Sequence, residues 1–403
     1  QAARRAGRPP RYRAPGARAP AMSAPVQLTR KQKQAAAAAA GIVGLGATAY
    51  GAYEYVTSPS SLGENQETAL VPHLLNAVVK YCRADGCLYI VDIFDQVIWK
   101  QKIDDEGEAV DTMEKVLQLG GEENPTGCGW RKDGTMLVLL GGSKRLVKVK
   151  PGADPDAEPE VVADLSAIEP APAYDMVLDC EGGVYVNGWG CQPETYFMDP
   201  ASVKSGQVIH LPPDYDPAQS HPSQYGDLMF PCGSAVTPDG RTLITACTFL
   251  SALVAWDRDP ATGALTNQRV WARLPGVWVA GICLDAEGCA WVGIPSIKGP
   301  INCLMGPLSF YARKYLMGTG FGAVARVKEG GKVLESRILN KIGCMSLCLG
   351  GPDGCTLFLA CTALTLWSAK MYVQAGNSFV ATMRVKVPAA SSPSSPSYNG
   401  GSC

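Results

Sequence analysis

The sequence predicts an all-β fold, a six-bladed β-propeller behind an N-terminal helical leader or anchor. Three observations predict it. An acidic-Gly turn followed by an apolar β-rich run occurs six times, Gly and Pro punctuate the chain throughout, and no long apolar stretch with a 3.6-residue period follows the leader. With 403 residues, 44 of them Gly and 30 Pro, and a formal net charge of -1, the chain has the composition of many short strands joined by tight turns. Outside the leader no basic field offers itself to nucleic acid.

The leader comes first. The first acidic residue is Glu54, and nine basic residues precede it, among them Arg30, Lys31 and Lys33. Residues 1–57 therefore read as a basic, Ala-rich targeting or anchoring segment. From Ala35 to Tyr53 nineteen uncharged residues run unbroken, enough to cross a bilayer, with those three basic residues as the positive flank. A membrane anchor, a cleaved organellar or secretory leader and a plain Ala-rich helix all stay open here, and localisation with them.

The propeller is expected over residues 66–388. Its turns are Asp85-Gly86, Asp133-Gly134, Glu181-Gly182, Asp239-Gly240, Glu287-Gly288 and Asp353-Gly354, and the glycines are 48, 48, 58, 48 and 66 residues apart. A blade takes about 40 to 50 residues, so the steps describe six blades with two insertions. Gly tolerates positive φ and Asp bonds its own backbone, which makes the pair a hairpin turn. The longer insertion falls between Ile294 and Gly322. It holds Phe310, Tyr311, Tyr315 and Phe321 but no acid, so residues 297–321 are expected to fold over the channel, dock a partner, touch a membrane or pack on the side of blade five. The Ser/Pro/Gly-rich stretch 389–403 is expected to be a disordered tail. Fifteen cysteines are spread without a single C-x-x-C pair, which argues against a zinc ribbon and for buried reduced thiols. No Asn-x-Ser/Thr acceptor without an intervening Pro occurs, which argues against a glycosylated secreted protein.

Several runs together carry a family likeness: Phe230-Pro231-Cys232-Gly233, Thr237-Pro238-Asp239-Gly240-Arg241, Val254 to Pro275, Gly281 to Gly288, Arg326 to Gly331 and Leu349 to Gly354. On these the chain resembles, over Val71 to Pro388, the family of gluconolactonases, regucalcin (the senescence marker protein) and luciferin-regenerating enzyme. The resemblance implies a six-bladed propeller with one divalent cation, calcium or zinc, at the channel mouth, polarising a lactone carbonyl and activating water. It also implies ligands in a first-blade Glu, a Pro-Asn-Gly motif and a Pro-Asp-Gly motif, with an Asn-Asp pair facing substrate. The matching positions here read Asn76 or Ala77, Pro231-Cys232-Gly233, Val279-Ala280-Gly281 and Tyr174-Asp175.

The repeat phase tests the same point independently, because equivalent residues of each blade should line one ring of the channel. Eight residues before the turn glycines stand Val78, Thr126, Tyr174, Cys232, Ala280 and Ser346. That ring has no carboxylate, and a hard cation wants several oxygen ligands. The catalytic candidates are Asp175, one residue out of phase, and Cys232. Against them stand the plainer readings of a turn aspartate and a small buried hydrophobe. Tyr174, Thr126, Asn76 and Ser346 are the candidates for binding a small molecule in the channel mouth. His221 could act as a base for Cys232 but reads more simply as a solvated loop residue. Two function classes follow: a divergent lactonase-type hydrolase of a small cyclic ester with a degenerate metal site, and a non-catalytic ligand- or protein-binding propeller tethered to a membrane.

Overall fold

The computed structural model describes residues 68–74, 77–121, 123–150, 152–192, 203–297, 322–339, 342–363 and 378–390. The leader, the insertion at 298–321, Asn76 and the tail beyond Ala390 lie outside the described residues. A first strand, β1 (Thr68–Leu74), precedes the first blade, which is β2 (Ala77–Cys82), β3 (Cys87–Asp92), β4 (Val97–Ile103) and β5 (Ala109–Gln118). Blade two is β6 (Pro125–Trp130), β7 (Met136–Leu140), β8 (Arg145–Val149) and β9 (Glu160–Asp164); blade three is β10 (Ala173–Leu178), β11 (Val184–Gly188), β12 (Gly206–Leu211) and β13 (Ser223–Leu228). Blade four is β14 (Pro231–Val236), β15 (Thr242–Cys247), β16 (Ala252–Arg258) and β17 (Leu265–Arg273). A short pair, β18 (Val277–Trp278) with β21 (Ser296–Ile297), flanks blade five, which is β19 (Ile282–Leu284), β20 (Ala290–Ile294), β22 (Gly322–Lys328) and β23 (Lys332–Leu339). Blade six takes β24 (Ile342–Gly350), β25 (Thr356–Ala363) and β26 (Ser378–Arg384) and borrows β1 as its outer strand, Thr68 opposite Thr382 and Ala69 opposite Ala381. The chain's first described strand thus closes the ring on its last.

The six turn glycines all adopt positive φ, from 65° at Gly86 to 94° at Gly182, and each joins the first two strands of a blade. Where the pair is Asp-Gly, the aspartate accepts the N–H two residues on, as Asp133 does from Thr135 at 2.9 Å. Where it is Glu-Gly, an aspartate two positions earlier does this work. Asp179 accepts from Glu181 and Gly183 at 3.0 and 2.7 Å, and Asp285 accepts from Glu287 and Cys289 at 2.9 and 3.1 Å.

First strands are apolar and buried on both faces because each is flanked by the neighbouring blades. Six apolar clusters result, one at each seam of the ring. The seam between blades six and one, for example, packs Val79, Tyr81, Leu88 and Ile90 against Cys348, Phe358 and Val380. No cluster can form from one blade alone, so the core is shared around the circle. Of the fifteen cysteines, twelve are free thiols in the described residues, ten of them buried, and Cys180 is disulfide-bonded. The segment after β26 also contributes to packing, with Ala389 buried and bridged to Asp285.

Candidate functional site at the channel mouth

Antiparallel order puts the starts of the first strands and the ends of the second strands on one face, opposite the acidic-Gly turns. On this face the first strands of blades two, three, four and six are irregular, with register breaks at Pro125/Gly127, Ala173/Met176, Pro231/Ser234 and Cys344/Ser346. Bulges at the rim re-aim side chains, and here they occur at the same level in four blades. The first strands also come very close together. A Cβ on Gly233 would lie 2.7 Å from the Cα of Gly281, one on Gly281 would lie 2.7 Å from the Cα of Ser346, and one on Gly127 would lie 3.0 Å from the Cα of Asp175.

Asp175 stands seven residues before its turn glycine, the level at which three other blades carry Gly127, Gly233 and Gly281. Its φ is +60°, a region unfavourable for a non-glycine residue, and it is buried. Its carboxylate accepts the Met176 N–H at 2.8 Å and is ion-paired to Lys80 of blade one, with Nζ 3.0 Å from Oδ1 and 3.2 Å from Oδ2. The pair joins blades one and three past blade two, and Gly127 packs tightly against it, since a Cβ there would lie 3.0 Å from the Asp175 Cα and 3.1 Å from Oδ1. Burial raises the Asp175 pKa above its ordinary value, against the opposing pull of Lys80 and the Met176 amide. Lys80 is the site residue that sequence reasoning missed. A signal was there, a single charge within the apolar first-strand run Ala77-Val78-Val79-Lys80-Tyr81.

The other predicted residues are placed around this pair. Tyr174 is buried and stacked on Trp189 at 5.3 Å. Thr126 donates its hydroxyl to the Ala173 carbonyl at 3.0 Å, and the Ser346 hydroxyl accepts the Val79 N–H at 3.4 Å. Cys232 lies 3.1 Å from the Thr248 hydroxyl, which itself donates to the Val279 carbonyl at 2.7 Å. Burial pushes the Cys232 thiol up to about 12, as it does Cys128 and Cys348. At neutral pH these sulfurs are therefore protonated. His221 is exposed in the loop between β12 and β13.

Two further features were not foreseen. Asn187, fully buried, clamps blade three to blade four: its amide nitrogen donates to the Cys232 carbonyl, while its oxygen accepts from Ser234 at 3.0 Å. Beyond it runs a row of aromatic rings, Tyr174, Trp189, Phe230, Phe249 and Trp278, successive centroids being 5.3, 4.3, 4.8 and 6.0 Å apart. Each precedes a first strand or follows a second strand, except Tyr174, which lies at the start of β10, so the row crosses the mouth face of blades three to five. Buried Glu169 holds the Trp189 loop by accepting the N–H groups of Ala171 and Gly190 at 3.0 and 3.2 Å.

No three His, Cys, Asp or Glu side chains among the described residues come together as a ligand set, and the carboxylate nearest the throat already faces an ammonium. A second cation beside Lys80 would be repelled by it.

A family model described as the SMP-30/Gluconolactonase/LRE-like region matches residues 79–363. Among solved structures, a luciferin-regenerating enzyme is 14% identical with a TM-score of 0.59, covering 84% of this chain and 98% of its own. A calcium-binding regucalcin from Agrobacterium tumefaciens is 17% identical with a TM-score of 0.54, covering 81% and 98%. A gluconolactonase from Xanthomonas campestris is also 17% identical at 0.54, covering 81% and 92%. At these identities the likeness shows the fold. No curated protein sequence matches the chain.

Proposed function

The chain belongs to the SMP-30/Gluconolactonase/LRE-like family, and from that premise we propose that it is a divergent lactonase-type propeller that hydrolyses a small cyclic ester at the channel mouth, with a degenerate metal site. The observation that carries this reading is Asp175, a buried carboxylate at left-handed φ, held in the throat where sibling blades have glycine. Its surroundings fix that conformation, through the Lys80 ion pair and the Met176 amide. Asp175 acts as the general base. It takes a proton from water as the water oxygen attacks the ester carbonyl, and on collapse the ring C–O bond breaks and the proton passes to the departing alkoxide. The product is the open hydroxy acid. The aromatic row from Trp189 to Trp278 gives the ring of such a substrate an apolar wall, with Tyr174, Thr126 and Ser346 bordering it.

The test is hydrolysis of a panel of five- and six-membered lactones by the full chain, followed by titration of the acid released. Asp175→Asn is expected to lower stability, because it leaves the mostly buried Lys80 ammonium without its counter-charge, but to stay folded, because Asn tolerates left-handed φ, and to lower kcat/KM by roughly 10²- to 10⁴-fold. A base must be ionised to act, so activity should rise with pH through the Asp175 pKa. Burial raises that pKa, so the acid limb is expected above the ordinary aspartate value of 3.8. An acid limb at or below that value, or full activity in Asp175→Asn, removes Asp175 from the role.

The aromatic row and the charge-neutral Lys80–Asp175 pair also favour a second reading, a propeller that binds a small ligand without turning it over; binding of lactones without acid release would select it. This second reading includes a membrane tether at residues 35–53, supported by nineteen uncharged residues that follow Arg30, Lys31 and Lys33, and a second membrane contact at 297–321. The tether and the insertion at 298–321 lie outside the described residues, and among the described residues no helix is long and apolar enough to cross a membrane. The full chain should resist carbonate extraction from membranes while a chain beginning at Ser58 does not; equal extraction of both ends the tether.

A further inference from the structure

At its turn end the seam between blades three and four buries a charged network. The Arg258 guanidinium, at the end of β16, pairs with Asp179 of the β10–β11 turn, and both side chains are almost wholly buried. Arg258 Nε donates to the Tyr185 hydroxyl and Nη1 to the Gly240 carbonyl, each at 2.7 Å, while the Tyr185 hydroxyl donates to the Gly263 carbonyl at 2.8 Å. Blade three is thereby fastened to the β16–β17 turn of blade four. His210 of β12 lies against this fastening. It is 4% exposed, its ring stacks on Tyr185 with centroids 4.6 Å apart, and its Nε2 is buried without a hydrogen-bond partner among the described residues. The turn closes directly over that nitrogen, since a Cβ on Gly263 would lie 2.5 Å from it. We propose that His210 makes this seam an acid-sensitive latch, closed while its imidazole is neutral and released when the imidazole takes up a proton.

A proton on the buried ring makes an imidazolium, and a buried charge without a hydrogen-bond partner is costly. Burial is the largest influence on His210 and lowers its pKa from 6.5 to about 4, with Asp179 pulling it up and Arg258 pushing it down. The other titratable side chains of the packed strands are Tyr185 of β11 and Tyr225 of β13, and a phenol gives an imidazolium no counter-charge in acid. On the flanking segments stand Asp214, Asp216 and exposed His221 of the β12–β13 loop and Asp259 of the β16–β17 turn, whose carboxylate accepts the Ala261 N–H at 2.9 Å. The latched form holds the ring neutral, whereas a released ring is solvated and regains a pKa near 6.5. Above pH 6.5 both forms are neutral and the latch is at full strength. As pH falls below 6.5 only the released form takes the proton, so release gains about tenfold per pH unit until roughly pH 4, where the latched form is protonated too.

The full chain has three histidines, His73, His210 and His221, so carbon-labelled imidazole rings give three NMR titrations, with His210 assigned by its loss in His210→Gln. His210 should stay neutral through pH 6, and a His210 signal that titrates near 6.5 overturns the proposal. Release is read separately at the Leu265 amide, which crosses the seam by donating to the Tyr225 hydroxyl at 3.1 Å. Its hydrogen-exchange protection, corrected for intrinsic exchange, should fall about tenfold per pH unit between pH 6.5 and 4.5. The reference is the Gly141 amide of blade two, which donates to the Asn124 carbonyl at 2.8 Å and should change little. In His210→Phe, which keeps a ring against Tyr185, the pH-dependent fall at Leu265 should be absent. His210→Gln, the slimmer replacement, carries the same test if a phenyl ring does not fit beside Gly263, because the slope with pH is read and not the level at pH 7. A fall of equal slope in the variants assigns it to carboxylates, and a parallel fall at Gly141 makes it unfolding of the whole ring; either result sinks the latch.

Discussion

Cys232 occupies the position where the family resemblance implies an amide ligand, and its surroundings decide what it can do there. It is buried, its sulfur faces the Thr248 hydroxyl, and its thiol is raised to about 12, so it is a weak nucleophile at neutral pH. Incubation of the native chain with iodoacetamide at pH 8 should leave Cys232 unmodified, while the chain in guanidinium is alkylated there; rapid native labelling found by peptide mass spectrometry would return Cys232 to the catalytic set. Cys232 was legible as a candidate because repeat phase projects equivalent residues onto one ring, and Asp175, one residue out of phase, because the family resemblance implies a substrate-facing pair at Tyr174-Asp175. Lys80 was not, because phase reports level in the channel and says nothing of how far a long side chain reaches across it. The pairing of two strands' side chains past the blade between them is a tertiary fact with no local signature. Only the oddity of a lysine among Val78, Val79 and Tyr81 hinted at it.

At the scale of the strand, the inner edge of each blade works by omission. Gly281 allows the first strands of blades five and six to approach until a methyl group would lie 2.7 Å from the Ser346 Cα, which is backbone and cannot swing aside. Gly281→Ala is therefore expected to cost about 1–3 kcal/mol, read as a lower denaturant midpoint with an unchanged slope. Gly120→Ala, where a Cβ would meet nothing within 4 Å, is the control and should shift the midpoint little. Equal shifts in the two would mean that the inner strands can separate without penalty. Turns were the most legible elements, since positive φ at Gly86, Gly134, Gly182, Gly240, Gly288 and Gly354 follows from residue type. What the acidic-Gly pattern concealed was which acid does the bonding. In blades three and five it is Asp179 and Asp285, and the glutamates of the pairs only resemble the turn aspartates of the other blades. The bulges were not legible, because a register break depends on what the neighbouring strand presents.

For the whole molecule, the spacing of six turns was enough to give the number of blades, but not the way the circle is fastened. That fastening is non-local, since β1 pairs with β26 and completes a blade whose other strands come from the far end of the chain. A chain begun at residue 66 should melt cooperatively. One begun at residue 76 lacks β1, exposes the edge of β26, and should melt lower and associate through that edge, seen as higher-order species in size-exclusion chromatography. A monomer of unchanged melting temperature would show the closing strand to be dispensable. The same fastening has a cost in time. Thr68 and Arg384 are 384 − 68 = 316 positions apart, so at about 5–20 residues per second β1 waits on the order of 15 to 60 s between its own synthesis and that of its partner. For that interval the growing chain carries a strand with no edge to join, so what β1 meets while translation continues matters as much to its folding as what it meets in the finished ring.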